Sequence, residues 1–255
     1  MKTIKIILAI ALGISSISAI AQDIQQYSGS YQKGTATYSY YEREDGTRAM
    51  HGKFTAKKDD ASQFGSQYTY NIKGQYVDDK RDGQWVIDFK NVANKLTFSG
   101  KLTINYKNGL HEGNYSAVIK ADGPVDVVPQ YNSGMNAGNN CTVLFDCVNN
   151  LIEGPVSITI NDVVCKGNAT NSRPTGIWTE TERYLKHTFN CDSKSGYSID
   201  VQTGDRLELE KFPRVSEILD FLYRYVGFYE SLTDPNNQYG GTDPKKYSKV
   251  ELKFY

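Results

Sequence analysis

Gly74-Gln75-Tyr76-Val77-Asp78-Asp79-Lys80-Arg81-Asp82-Gly83-Gln84-Trp85 decides the reading of this chain, because it recurs as Gly167-Asn168-Ala169-Thr170-Asn171-Ser172-Arg173-Pro174-Thr175-Gly176-Ile177-Trp178. Both copies hold two glycines nine residues apart, a polar turn between them, and a closing Gly-x-Trp. Looser Gly-x-apolar copies stand at Gly52-Lys53-Phe54, Gly100-Lys101-Leu102, Gly113-Asn114-Tyr115 and Gly154-Pro155-Val156. Turn signals precede several of them: Glu44-Asp45-Gly46, Asp78-Asp79-Lys80, Lys107-Asn108-Gly109 and Val148-Asn149-Asn150. A unit recurring along a chain is the mark of a repeat architecture.

The residues between the turns alternate. Tyr68, Tyr70, Ile72, Gly74 and Tyr76 share one parity, as do Leu96, Phe98, Gly100, Leu102, Ile104 and Tyr106. Trp85, Ile87 and Phe89 share theirs with Gly83. Side chains on a strand alternate between faces, so these glycines fall on the apolar face. A strand glycine normally weakens its strand; here it opens a gap in which a Tyr or Trp ring from a neighbouring strand can lie flat. The residues thus predict a mainly β fold of alternating strands joined by short polar turns. The abundance of Tyr (19) and Gly (22) agrees with strands and turns.

Tyr76-Val77-Asp78-Asp79-Lys80-Arg81-Asp82-Gly83-Gln84-Trp85 resembles the MORN-type repeat, in the variant common in exported bacterial proteins. The resemblance covers residues 70–120 best, with weaker copies at 41–57 and 150–185; the copy at 167–178 departs from it by placing Ala169 where an aromatic is expected. It implies a run of repeated hairpins forming an elongated, twisted antiparallel sheet that serves as a scaffold or binding surface and not as a catalyst.

Residues 1–21 read as a cleavable signal peptide. Lys2 and Lys5 precede an apolar run over Ile6–Ile17, and Ala19-Ile20-Ala21 presents small residues for cleavage before Gln22. The run is too short to span a membrane, which takes about 20 residues, and no later stretch is apolar enough. Export is therefore expected, to the periplasm, the outer membrane surface or the exterior. Without residues 1–21 the chain carries 27 basic and 29 acidic side chains, a balance that offers nothing to nucleic acid or anionic lipid.

The expected organisation is an N-terminal repeat region at 22–120, a loop at 121–140, a second repeat region at 141–212, and a C-terminal part at 213–255. After Pro213, apolar residues at Val215, Ile218, Leu219, Leu222, Val226 and Tyr229 follow helical spacing. They predict a helix over 214–231 packed on the sheet. Val250 to Tyr255 reads as a short terminal strand.

Cys141, Cys147, Cys165 and Cys191 all fall in one stretch of the exported part. Four cysteines allow three pairings, of which Cys141–Cys147 with Cys165–Cys191 is favoured. Zinc is disfavoured because no Cys-x-x-Cys pair is present, and neither metal nor cofactor is expected. His51, His111 and His187 sit in turns or strand edges and read as solvated. No Gly-x-Ser-x-Gly elbow or phosphate-binding glycine loop occurs, and Asp78-Asp79 reads as a solvated turn. The expected function is accordingly non-enzymatic: a scaffold or protein-interaction surface at the bacterial envelope. The alternative is glycan binding on a platform of Tyr76, Trp85, Tyr115 and Trp178, since such rings combine apolar area with a polar tip. The two differ in whether those rings are exposed.

Overall fold

The computed structural model describes residues 23–31, 34–63, 66–93, 95–123 and 140–209, together with Glu230, Leu232 and Thr233. The strands are β1 (Gln25–Tyr31), β2 (Gly34–Glu42), β3 (Arg48–Gln63), β4 (Ser66–Val77), β5 (Lys80–Ala93), β6 (Leu96–Lys107), β7 (Leu110–Asp122), β8 (Asn140–Val148), β9 (Leu151–Ile160), β10 (Val163–Thr170), β11 (Arg173–Glu182), β12 (Leu185–Asn190), β13 (Ser195–Asp200) and β14 (Arg206–Leu209). They form one sheet whose spatial order is the chain order, each strand antiparallel to the next. At about 4.8 Å per strand the sheet extends roughly 60 Å along its hydrogen-bonding direction. No described element is a helix, and no helix of the described residues is long and apolar enough to cross a membrane. The predicted helix over 214–231, of which only Glu230 is described, the terminal strand and the leader lie outside the described residues, as does most of the 121–140 loop. That loop separates β7 from β8 in sequence but not in the sheet, since Lys120 pairs with Asn140 and Gly113 with Cys147.

The alternation read from the sequence holds. Tyr68, Tyr70, Ile72 and Tyr76 are buried on one face, with Trp85, Ile87 and Phe89 beside them and Leu102, Ile104 and Tyr106 beyond. The apolar face continues through Ile119, Val143, Phe145, Ile158 and Trp178 as one core cluster.

The two glycines of the repeat do different work. Lys73 pairs with Val86 and Gln75 with Asp82, so Gly74 alone faces the three residues Gly83, Gln84 and Trp85. The second copy is built alike: Lys166 pairs with Thr179 and Asn168 with Thr175, setting Gly167 against Gly176, Ile177 and Trp178. This bulge needs left-handed backbone, supplied by Gly83 (φ 65°) and Gly176 (φ 62°). It turns the following tryptophan back across the partner strand. A Cβ on Gly74 would stand 2.1 Å from the Trp85 ring, and one on Gly167 would stand 2.1 Å from the Trp178 ring. Each indole therefore rests on bare backbone. Gly100 under Phe89 and Gly196 under Phe189 repeat the device without the bulge.

The turns leaving β4, β6, β8 and β10 all lie at one end of the sheet, where they are tied in series. In two-residue hairpins of type I′ both central residues take positive φ, as do Asp78-Asp79, Asn108-Gly109, Asn149-Asn150 and Asn171-Ser172. The second residue of each donates its N–H to a carbonyl in the preceding hairpin: Asp79 to Met50, Gly109 to Arg81, Asn150 to His111 and Ser172 to Ile152. Three of these residues also accept the amide of the same partner through their side chains, at 2.7 Å (Asp79 from Met50), 2.7 Å (Asn150 from His111) and 2.9 Å (Ser172 from Ile152). Net contributions of about 1 kcal/mol per bond sum along this ladder and hold successive hairpins in step.

The favoured cysteine pairing does not form: all four cysteines are free. Cys141 and Cys147 share β8, six residues apart on one face, so their backbones are roughly 20 Å apart at strand rise, against a disulfide reach below about 7 Å. Cys165 on β10 pairs with Glu180 on β11, whereas Cys191 follows Asn190 at the end of β12, two strands from β10. Burial pushes the thiols of Cys141 and Cys147 up to about 12 and that of Cys191 up to about 11.

Two outcomes follow. In urea unfolding, Gly74→Ala is expected to cost about 3 kcal/mol, the high end for overpacking, and Gly83→Ala about 1–2 kcal/mol for left-handed backbone. In a Trp85→Val background Gly74→Ala should cost almost nothing further; additive costs would show that the ring and the glycine are not coupled. For the thiols, intact mass after iodoacetamide at pH 8 should show Cys141, Cys147 and Cys165 unmodified in the native protein, and four adducts in urea without reductant.

Candidate functional site

The four aromatic residues singled out from the sequence are all buried: Tyr76, Trp85, Tyr115 and Trp178, with both tryptophans at 0% exposure. Three of them belong to one aromatic row across the sheet. Phe54 meets Tyr76 and Trp85 at 5.5 and 5.4 Å between centroids, Trp85 meets Tyr76 at 5.0 Å and Tyr106 at 6.4 Å, Tyr106 meets His111 at 4.8 Å, and His111 meets Tyr115 at 6.3 Å. Tyr115 stacks on Phe145 at 4.4 Å. Trp178 stands apart on β11, its Nε1 donating to the Asn168 carbonyl at 3.0 Å.

Where this row approaches the turn end it becomes polar, and there the sequence reading missed the main feature. His111, read as solvated, is buried at 3% exposure. Its side chain enters the core because it follows the Asn108-Gly109 turn by two residues, on the inward parity of β7. Arg81 holds the corresponding place after Asp78-Asp79, and Tyr106 pairs directly with His111. Into the space between them comes Glu230, 2% exposed. Its Oε1 accepts from Tyr106 Oη at 2.8 Å and from Arg81 Nη1 at 3.3 Å, and lies 2.8 Å from His111 Nε2. Arg81 also donates to Tyr106 Oη and Thr233 Oγ1, each at 3.0 Å, and its guanidinium lies 4.2 Å over the Tyr106 ring. The main chain of the same segment is held too. Tyr76 Oη donates to the Thr233 carbonyl, Tyr31 Oη donates to the Leu232 carbonyl at 3.4 Å, and the Leu232 side chain joins the core.

The electrostatics follow from this geometry. Burial pushes the Glu230 carboxyl up, but the charge and hydrogen bond of His111, the charge of Arg81 and the Tyr106 hydroxyl together outweigh it and hold the group below its ordinary value. Burial, with the Glu230 charge alongside, pushes the Tyr106 phenol far up against the pull of Arg81. The arrangement is a receptor for one carboxylate. Nothing in the sequence joins Glu230 to His111, 119 residues earlier. The available signal was the repeat itself: the carbonyl taken by the next turn belongs to Met50, Arg81, His111 and Ile152 in successive hairpins, apolar at both ends of the series and basic in the middle.

A second polar row, half-buried at His187 and otherwise buried, crosses β10 to β13, where the register aligns Cys165, Glu180, His187 and Ser198. His187 Nε2 lies 4.0 Å from Glu180 Oε1, an ion-pair separation outside hydrogen-bond range. Burial, then the Glu180 charge, pushes the Cys165 thiol up. His51 is partly exposed and pairs with Asp78 Oδ1 at 3.0 Å; Asp79 takes Arg43 and the Met50 amide. Asp78 and Asp79 are thus engaged in holding the turn. Among the described residues no group of three or more His, Cys, Asp or Glu side chains could hold a metal ion.

The opposite face carries exposed apolar side chains between polar ones. Leu144, Pro155 and Ile177 line a shallow groove of about 540 Å³ with Asn114, Asp146 and Lys166; Ile177 is 59% exposed, and Val118, nearby on β7, is 48% exposed.

Glu230→Gln should cost about 3 kcal/mol, the cost of breaking a buried ion cluster. Because the folded carboxyl lies below its ordinary 4.5, its stabilisation is complete above that value and is lost as pH falls through the lowered one. Urea midpoints from pH 7 to pH 3 should therefore converge for wild type and Glu230→Gln at the acid end; parallel curves would mean that Glu230 titrates unperturbed.

No family model matches this chain, and no curated protein matches it at a significant level.

Proposed function

We propose that this chain is an exported, non-enzymatic β-repeat protein of the MORN type that works as a scaffold or protein-interaction surface at the bacterial envelope. The observation that carries the reading is the division of labour between the faces of the sheet. One face is consumed by glycine-seated rings and the core. The other presents Leu144, Pro155 and Ile177 to solvent in a groove shared with Asn114, Asp146 and Lys166, with Val118 exposed on β7, and exposed apolar area rimmed by polar groups marks interaction sites. Export is supported by Lys2, Lys5, the apolar run after them and Ala19-Ile20-Ala21. The Gly-x-Trp units and their stitched turns support the repeat assignment. A helix over 214–231 belongs to the same reading, and the burial of Leu232 against the core supports a C-terminal part that packs on the apolar face. The glycan alternative needs rings that face solvent. The burial of Tyr76, Trp85, Tyr115 and Trp178 favours the protein-interaction reading over it.

The test compares immobilised wild type with Leu144→Asp/Ile177→Asp in a detergent extract of bacterial envelope. The expected result is a protein retained by wild type and released by the double variant. Identical retention would remove this face from the function. A rise of several degrees in melting temperature with a polysaccharide would reinstate the glycan reading.

A further inference from the structure

We propose that the turn end of the apolar face is a receptor site for an acidic peptide segment, and that Glu230, Leu232 and Thr233 are its tethered residents. The site reads a carboxylate through Arg81, Tyr106 and His111, and a main chain through Tyr76 and Tyr31. It deepens the interaction reading above, naming the chemistry of a partner at a second place on the same sheet.

The donors belong to the sheet and not to the occupant. They come from β1, β4, β5, β6 and β7, and the turn ladder fixes Arg81 and His111 at their backbone carbonyls through Gly109 and Asn150. What they grip is generic: one carboxylate, the carbonyls of Leu232 and Thr233, the Thr233 hydroxyl, and one apolar side chain. Any segment of the form Glu-x-apolar offers nearly the same set. His111 Nδ1 is buried with no hydrogen-bond partner among the described residues, so the histidine carries polar capacity beyond what Glu230 uses.

Stability alone explains this cluster poorly. A buried ion cluster is often replaced by apolar residues of similar volume at no cost or with a gain. Equivalent positions in the flanking hairpins hold Met50 and Ile152, both buried. Two adjacent repeats thus carry basic side chains where the fold itself accepts apolar ones. Recognition of a carboxylate accounts for both.

A resident segment taxes any incoming one, since only the fraction of molecules with the site vacant can bind. The experiment therefore vacates it in the full-length chain with Glu230→Gln/Leu232→Ala and titrates a fluorescein-labelled peptide, blocked at both ends, with the sequence of residues 226–237. By fluorescence anisotropy the variant is expected to bind this peptide at least tenfold more tightly than wild type does. A peptide with Gln in place of its Glu should bind the variant at least tenfold more weakly. Equal affinity of wild type and variant, equal affinity for the Glu and Gln peptides, or no binding by a variant of native circular dichroism would each overturn the proposal. Should the double variant unfold, Leu232→Ala alone leaves every charge in place and carries the same titration. Leu144→Asp/Ile177→Asp added to the vacated variant should leave peptide affinity unchanged, so that failure of the outer-face reading and failure of this one are told apart.

Discussion

An indole ring lying on the bare backbone of a glycine is the contact on which this sheet depends. Among the described residues the strands form a single sheet, and its large side chains lie down across neighbouring strands. Trp85 on Gly74 and Trp178 on Gly167 do this, each with less room than a Cβ would leave. The bulge at Gly83 or Gly176 supplies the direction: three residues against one turn the strand so that the tryptophan points back over its partner. The glycine beneath accepts a local loss of strand propensity in return for a flat seat, and burial of a whole indole outweighs that loss, since a large apolar side chain contributes roughly 1.5–3 kcal/mol on burial.

Seating the rings leaves the hairpins to be kept in register, because a one-residue slip would exchange the two faces of a strand. The ladder of turn hydrogen bonds meets this need at one end of the sheet. Each turn is closed by its own positive-φ pair and then bonded to the hairpin before it, so an error in one register would break bonds in two hairpins. The same ladder holds the backbone at the inward-facing positions Met50, Arg81, His111 and Ile152. Arg81 and His111 occupy two of them, and a rigid mount lets three donors meet on one carboxylate oxygen with little further ordering cost on binding.

The fold was legible in the residues to the extent that it is local. The Gly-x-Trp units, the turns at Asp78-Asp79, Asn108-Gly109 and Asn149-Asn150, and the parity of Tyr68 to Tyr76 are all short-range patterns, and each marks an element of the sheet. That Gly74 and Gly83 differ in role was hidden, because the difference is one of pairing: only the register shows one residue set against three. The cysteines misled for a similar reason. Closeness in sequence suggested Cys141 with Cys147, yet within one strand six residues of separation are six residues of distance. His111 looked solvated beside a turn because Glu230, which meets its Nε2, arrives from 119 residues away, and no periodicity encodes such a meeting.

The two places of interest therefore differ in kind. The outer groove around Leu144 and Ile177 is what remains after the rings have gone to the other side; it follows from the architecture of any repeat built in this way. The Arg81–Tyr106–His111 cluster departs from the repeat at positions where the flanking units are apolar. A fold that seats indoles on glycines gains its stability from apolar contacts that ignore ionic state, and it has no structural need of a desolvated carboxylate among three donors. Free energy set against the general logic of a fold at rigidly held positions is the physical signature of recognition, and in this sheet it is concentrated where β5, β6 and β7 meet Glu230.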